Sequence, residues 1–346
     1  MSQIKVDTIV DAAGTAAADF TSGVTVAGAA LSTLNTAEYY ETGTEPTSPK
    51  NGAIWKDTAN DKVMVYIAGE FKEIEIGASA VSGWTVNLAD FTFNTTTYPD
   101  YAVYTEETNP TGMLWNTDGT SFYISGRGTD SIHQYDCTTA YDLSTASFAN
   151  KEISVYSQAT EAWGIGASSD GYNFYVTCGA THRVYQYTAT TAWDISTASY
   201  ANKSYYHQPQ DYFGRDVKFN TDGTKMFLLM LYDEIFEYNL STAWDVSTAS
   251  YSNTSFVTET QDSYTVNFTF NPDGTQLITT GTSGDTLFQY TLTTGFDLST
   301  ASYDSISYSV SSHDSNPRAV TFNSDATRAF IVGDSGNNIR TYETGL

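Results

Sequence analysis

The chain has 346 residues, with 15 basic against 40 acidic groups and a formal charge of −25, yet only 16% of its residues are charged. That balance excludes a nucleic-acid-binding protein, which needs lysines and arginines to release counterions, and it disfavours attraction to anionic lipid. With 6 Trp, 26 Tyr and 18 Phe beside abundant Ser and Thr, the chain is too aromatic to be disordered and reads as β-sheet.

In chain order, no run of eighteen apolar residues is present and no membrane insertion is expected. The opening Met1-Ser2-Gln3-Ile4-Lys5-Val6-Asp7 lacks the basic-then-apolar order of a signal peptide, so synthesis in a cytoplasm is expected. Residues 1–37 are rich in Ala, Gly, Thr and Val, with strand-like pieces at 4–10 and 24–26 but too little apolar mass for a core of their own. Such a segment must dock on something. Residues 38–80 contain Gly52-Ala53-Ile54-Trp55-Lys56-Asp57-Thr58, Lys62-Val63-Met64-Val65-Tyr66-Ile67 and Gly69-Glu70-Phe71-Lys72-Glu73-Ile74, which read as a small β-meander stabilised by oligomerisation.

From residue 81 onward the chain repeats. Asp-(Leu/Ile/Val)-Ser-Thr-Ala-Ser-(Phe/Tyr) begins at Asp142, Asp194, Asp245 and Asp297. An Asp-Gly-like turn recurs at Asp118, Asp170, Asp222, Asp273 and Asp325, and a tyrosine recurs at Tyr135, Tyr187, Tyr238, Tyr290 and Tyr342. The period is about 52 residues, and four short strands per period with tight turns predict the blades of a propeller. An all-β, five-bladed propeller over residues 81–346 is the expected fold. The last copy lacks its outer strand, and Trp84–Phe91 aligns with Trp244–Tyr251. The amino-terminal strand should therefore complete the last blade and close the ring without an exposed edge.

Cys137 and Cys178 sit in no metal-type pair and are expected to be free thiols. The Asp-Gly turns and the Asp-x-Ser-Thr-Ala turns read as structural, since short polar side chains satisfy the backbone there. Gln134, Gln186, Glu237 and Gln289, each just before a marker tyrosine, should bond to backbone within or between blades.

Function is expected where the repeat breaks its own rules, on the face that carries the blade-to-blade loops and the turns between second and third strands. Five residues before each marker tyrosine stand Asp130, His182, Asp233, Asp285 and Asn337, one ring of equivalent positions. Three readings stand: a turn residue opening the third strand, a set of hydrogen-bonding groups for sugar hydroxyls, or oxygen ligands for Ca2+. Trp163, Tyr212 and Tyr264 would offer flat faces to pyranose rings. No carboxylate pair of glycosidase type and no nucleophile with an oriented histidine stands out, so catalysis is not expected and no other cofactor is implied.

Ser2-Gln3-Ile4-Lys5-Val6-Asp7-Thr8-Ile9, Asp11-Ala12-Ala13-Gly14-Thr15 and Asp19-Phe20-Thr21-Ser22-Gly23-Val24-Thr25-Val26 resemble the amino-terminal attachment segment of bacteriophage tail-fibre proteins. The Gly-Ala-Ile-Trp-x-Asp-Thr module at 52–58 is similar to one found in that class. The repeats at 244–251 and 271–275 look like β-propeller repeats of phage fibres and some bacterial surface proteins. The resemblance implies a homotrimeric virion appendage: residues 1–37 would attach to tail or adaptor proteins, and the propeller would meet a host-surface polysaccharide. It departs from many tail fibres in having only some 80 residues ahead of the propeller. A short spike, a head or collar appendage or an adaptor-linked tip stays open. The alternatives to an adhesin are a purely structural appendage without receptor binding and, third, a glycan depolymerase. An adhesin this acidic should prefer a neutral glycan, or need divalent cations to approach an acidic one.

Overall fold

Each of the first four copies of the repeat folds into a four-stranded antiparallel sheet whose strands are bounded by tight turns. The first turn places glycine at positive φ, as at Gly119 and Gly171 (both +74°), where a side chain would collide with the following Tyr141 or Trp193 ring. The third turn holds a single 3-10 turn, such as Leu143–Thr145, capped by Asp142. A bulge then bends the outer strand, with Asn150, Asn202, Asn253 and Ser305 at positive φ.

The computed structural model describes residues 84–93 and 97–346 in full, and before them the backbone of Thr25–Val26, Ala29–Ala30, Tyr39–Thr42, Ile54–Asp57, Lys62–Ile67 and Glu70–Ile74. Residues 1–81 and 82–346 form two units. The second unit is a five-bladed β-propeller. The inner strands of blades 1 to 5 are Pro110–Trp115, Ala162–Ala167, Gly214–Phe219, Thr265–Phe270 and Pro317–Phe322. Each touches the next around a closed ring. The outer strands of blades 1 to 4 are Ala146–Ser154, Ala198–Tyr206, Ala249–Val257 and Ala301–Ser309.

The hydrophobic core lies between blades rather than within them. One cluster joins Met113, Trp115, Phe122 and Tyr135 of blade 1 to Ala319, Phe330, Val332 and Ile339 of blade 5. The five marker tyrosines are all buried. Polar links reinforce these seams: the amides of Ile195, Val246 and Leu298 donate to the side chains of Gln134 (3.1 Å), Gln186 (3.2 Å) and Glu237 (3.3 Å) of the preceding blade.

The ring is closed by the amino-terminal strand. Thr92–Phe93 pairs with Glu343 and Tyr342, and Tyr101–Ala102 pairs with Ile339 and Asn338. The register corrects the sequence alignment by two residues. Phe93 faces Tyr342 as Tyr251 faces Tyr238, and the Leu88 amide donates to Gln289 at 3.0 Å in the place of Val246. Leu88, not Val86 or Trp84, therefore fills the position of Val246. Trp84 packs instead on Phe322, with ring centroids 4.8 Å apart.

In the first unit, Ile54–Asp57, Lys62–Ile67 and Glu70–Ile74 form the expected meander, with Tyr39–Thr42 added in parallel beside Ile54–Asp57. Thr25–Val26 pairs with Ala29–Ala30. The strand-like piece read at 4–10 lies outside the described residues.

Candidate functional site

The two faces of the ring are built differently. On one, the first and third turns meet, as the Tyr141 and Trp193 amides donate to the carbonyls of Gly119 (2.8 Å) and Gly171 (2.9 Å). Here the repeated aspartates are used by the fold. Asp118 accepts from the amide (2.9 Å) and hydroxyl (2.6 Å) of Thr120, and Asp222, Asp273 and Asp325 do the same two residues on. These bonds, the Thr120 hydroxyl foremost, hold the Asp118 carboxyl below its ordinary range. Asp142, Asp194, Asp245 and Asp297 cap the 3-10 turns through the following serine, and Lys151 and Lys203 pair with Asp194 (2.9 Å) and Asp245 (2.8 Å).

The opposite face joins the blade-to-blade loops to the second turns. The Gly128 amide donates to Glu107 (2.8 Å), the Tyr232 amide to Asp211 (3.1 Å) and the Thr282 amide to the Tyr264 carbonyl (3.1 Å). On it lies the ring Asp130, His182, Asp233, Asp285 and Asn337, all left-handed with φ between +48° and +57°. All five carbonyls accept the amide that opens a blade-to-blade loop, from Val155, His207, Thr258, Val310 and Val103 respectively. The ring is thus a repeated joint, which carries the turn reading. Its side chains diverge. Asp130 accepts the Ala162 amide at 3.0 Å, and Asp233 accepts the Thr265 amide (2.6 Å) and the Arg215 guanidinium (2.9 Å). His182 Nδ1 contacts the Tyr212 carbonyl. No protein group donates to Asp285 Oδ1 or Asn337 Oδ1.

Of the three aromatic residues expected at the surface, Trp163 is not there: it is 3% exposed. It lies on the inner strand of blade 2 with the Phe213 ring edge-on at 5.3 Å and Arg127 over it at 4.8 Å. Covered by Phe213 of the blade-to-blade loop and Arg127 of the facing turn, it offers no free face to a sugar. Tyr212 (58% exposed) and Tyr264 (39%) are at the surface. Tyr264 is braced by the buried Arg215, whose guanidinium lies 4.0 Å from the ring centroid and also donates to the Thr265 carbonyl. Tyr104, Tyr156, Tyr206 and Tyr232 are exposed on the same face. Only Tyr172, in the first turn of blade 2, is an exposed tyrosine on the other face among the described residues. Tyr104, Tyr156 and Tyr206 were not singled out from sequence. The signal was available for the first two, since Gln208, Glu259 and Ser311 stand at the same repeat position in the other copies.

The acidic loop residues are not an open ligand set. Glu107, Asp211, Asp262 and Asp314 are buried, and each accepts backbone amides of its own loop or of the facing turn. Ala159 holds this repeat position in blade 2, opposite Cys178 where blades 1, 4 and 5 have glycine. Among the described residues no group of three His, Cys, Asp or Glu side chains is placed to hold a metal ion, so nothing in the geometry favours the Ca2+ reading. Cys137 and Cys178 are free and buried, and burial pushes the Cys137 thiol up to about 12. In the inner strands, buried Asp216 binds Lys218 (2.7 Å), the Asn267 amide (2.7 Å) and the Phe268 backbone (3.3 Å). Burial raises its pKa and Lys218 opposes the rise. It is a satisfied internal pair.

No protein-family model and no curated protein sequence matches the chain. Solved structures do resemble it. A provisionally assigned 6-phosphogluconolactonase of Bacteroides uniformis is 13% identical with a TM-score of 0.44, over 66% of either chain. A second provisionally assigned 6-phosphogluconolactonase, from Bacteroides fragilis, is 14% identical with a TM-score of 0.42 over 66% of either chain. A functionally unknown protein of Desulfotomaculum acetoxidans is 8% identical with a TM-score of 0.40, over 66% of this chain and 68% of that one. The chain spans just under two thirds of the first of these. At such identities and scores the likeness transfers no activity to this chain.

Proposed function

We propose that this chain is a phage tail-fibre or spike protein whose propeller binds a host-surface glycan through the face of blade-to-blade loops and second turns. The carrying observation is the asymmetry of the exposed aromatics: six of the seven exposed tyrosines among the described residues lie on that face. Tyrosine rings offer an apolar plane with a polar edge, which suits the C–H faces and hydroxyls of sugars. The repetitive face has its polar groups committed to turns and offers little for recognition.

In this reading residues 1–37 anchor the chain to tail or adaptor proteins of the virion, and 38–80 assemble a homotrimer. The support for both is the sequence resemblance of the amino-terminal segment. Each glycan contact is weak, and trimeric display gives avidity through effective concentration. Binding proceeds without turnover. The test is the full-length chain on a printed glycan array, with reducing-end release from host polysaccharide measured in parallel. Binding without release is expected. Release would make the protein a depolymerase, and absence of both would favour a purely structural appendage.

A further inference from the structure

The joint around the propeller face is completed by hydrogen bonds at some seams and left incomplete at two. The side-chain oxygen of the ring residue in one blade accepts the first amide of the next inner strand, as Asp130 does from Ala162 and Asp233 from Thr265. In both pairs the donor lies 32 residues ahead. The same step from Asp285 reaches Pro317, the first residue of blade 5, and the equivalent residue opposite Asn337 is Pro110, the first residue of blade 1. Proline has no amide hydrogen to give. That is why Asp285 Oδ1 and Asn337 Oδ1 alone in the ring are acceptors with no protein donor.

The fold keeps these two residues for their backbone: both stand at positive φ, and both carbonyls accept loop amides. Nothing in the joint holds their side chains. Turning about χ1 costs Asp130 or Asp233 a structural hydrogen bond and costs Asp285 or Asn337 none. Both residues are half-buried but the unpartnered oxygens themselves are covered, so a ligand reaches them only when the side chains turn outward, and burial together with the neighbouring Asp262 raises the Asp285 pKa. Both free side chains border blade 5. On the blade-4 side of that pair lies Tyr264, whose loop is bound to the second turn of blade 4 by Thr282 and by the Ser263–Ser283 hydroxyl pair at 2.8 Å.

We propose that Asp285 and Asn337 are the hydrogen-bonding residues of neutral-sugar subsites at the two seams of blade 5, with Tyr264, in the loop bonded to the turn that carries Asp285, as the stacking platform of the first. This rests on the glycan reading above and deepens it. A carboxyl oxygen and an amide oxygen accept from sugar hydroxyls. The carboxylates of Asp262 and Asp285, which have no ion-pair partner among the described residues, repel an anionic sugar, which selects neutral hexoses over uronates.

The test uses the full-length chain on an array of gluco-, manno- and galacto-oligosaccharides printed beside oligogalacturonate and oligoglucuronate. Asp285→Gly and Asn337→Gly remove the side chains without strain at positive φ. Each should weaken binding of the neutral oligosaccharide by about tenfold or more while leaving the melting temperature unchanged. Pro317→Ala restores the missing donor, so it should capture Asp285, weaken binding to a similar degree and hold or raise the melting temperature. Asp130→Gly should do the reverse, lowering the melting temperature and sparing affinity. Should Pro317→Ala fail to fold, the two glycine variants decide. Neutral-sugar binding untouched by those variants, or preference for the uronates, overturns the subsites and leaves the glycan reading standing. No binding by the unsubstituted chain overturns both.

Discussion

At the scale of the residue, the repeat shows which side chains are exceptional. His207 opens the loop into blade 3 where Val103, Val155 and Val310 open those into blades 1, 2 and 5 and Thr258 that into blade 4. It is fully buried, its Nδ1 lies 3.2 Å from the Asp211 carbonyl, and its Nε2 has no partner. Burial, aided by nearby His182 and Arg183 and opposed by the Asp211 carbonyl, lowers its pKa from 6.5 to about 4. The folded chain therefore favours the neutral ring, and its contribution to stability is complete above the unfolded value of about 6.5 and is lost as pH falls toward 4. Thermal melts from pH 7.5 down to 4.5 should show a loss of up to about 3 kcal/mol from this group. His207→Val should flatten that dependence, and an unchanged pH profile would show that the loss lies elsewhere. Lys218→Met would leave Asp216 buried without its counter-charge, and a loss of about 3–5 kcal/mol is expected in denaturant titrations.

At the scale of the element, the blade was legible because its turns are chemical constraints that recur every 51 or 52 residues. Asp-Gly, the capped 3-10 turn and the glutamine or glutamate before four of the five marker tyrosines hold the places expected of them. The side chain at a given inner-strand position was not legible. Trp163 and Tyr264 stand two places apart in their copies, one inside the strand and one before it, and composition cannot tell which is covered by its neighbours. Exposed loop tyrosines and a buried strand tryptophan look alike in sequence. The two untied ring residues were equally hidden, since their difference lies in a proline 32 residues away or across the ring closure. The closing strand was found but placed two residues out of register, because Trp84 imitates Trp244 while the hydrogen bonds select Leu88. An inter-blade bond gives the element-scale prediction. Gln186→Leu removes the acceptor of the buried Val246 amide and should cost about 1–3 kcal/mol, read as a lowered melting temperature with the fold retained by circular dichroism.

At the scale of the whole molecule, the ring depends on residues far apart in sequence. Val86, Leu88 and Phe91 are buried in the seam between blades 4 and 5, and Thr92–Phe93 covers the free edge of the last blade. A chain beginning at residue 84 should melt as one cooperative propeller, whereas one beginning at residue 94 should lose that transition. Equal melting of the two would mean that the ring closes without this strand. Five of the six arginines, Arg127, Arg183, Arg215, Arg318 and Arg340, belong to the loop face, and three of them are paired with Asp233, Asp334 and Asp314. Pairing leaves the face polar and aromatic, which suits the proposed binding of neutral sugars. The central claim is that recognition belongs to this face and not to the repetitive one. The measurement that tests it most directly is glycan-array binding by the full chain carrying Tyr212→Ala and Tyr264→Ala, compared with Tyr172→Ala on the opposite face. Loss of binding in the first pair with binding kept in Tyr172→Ala is the predicted result, and the opposite pattern, or equal binding by all three, would contradict it.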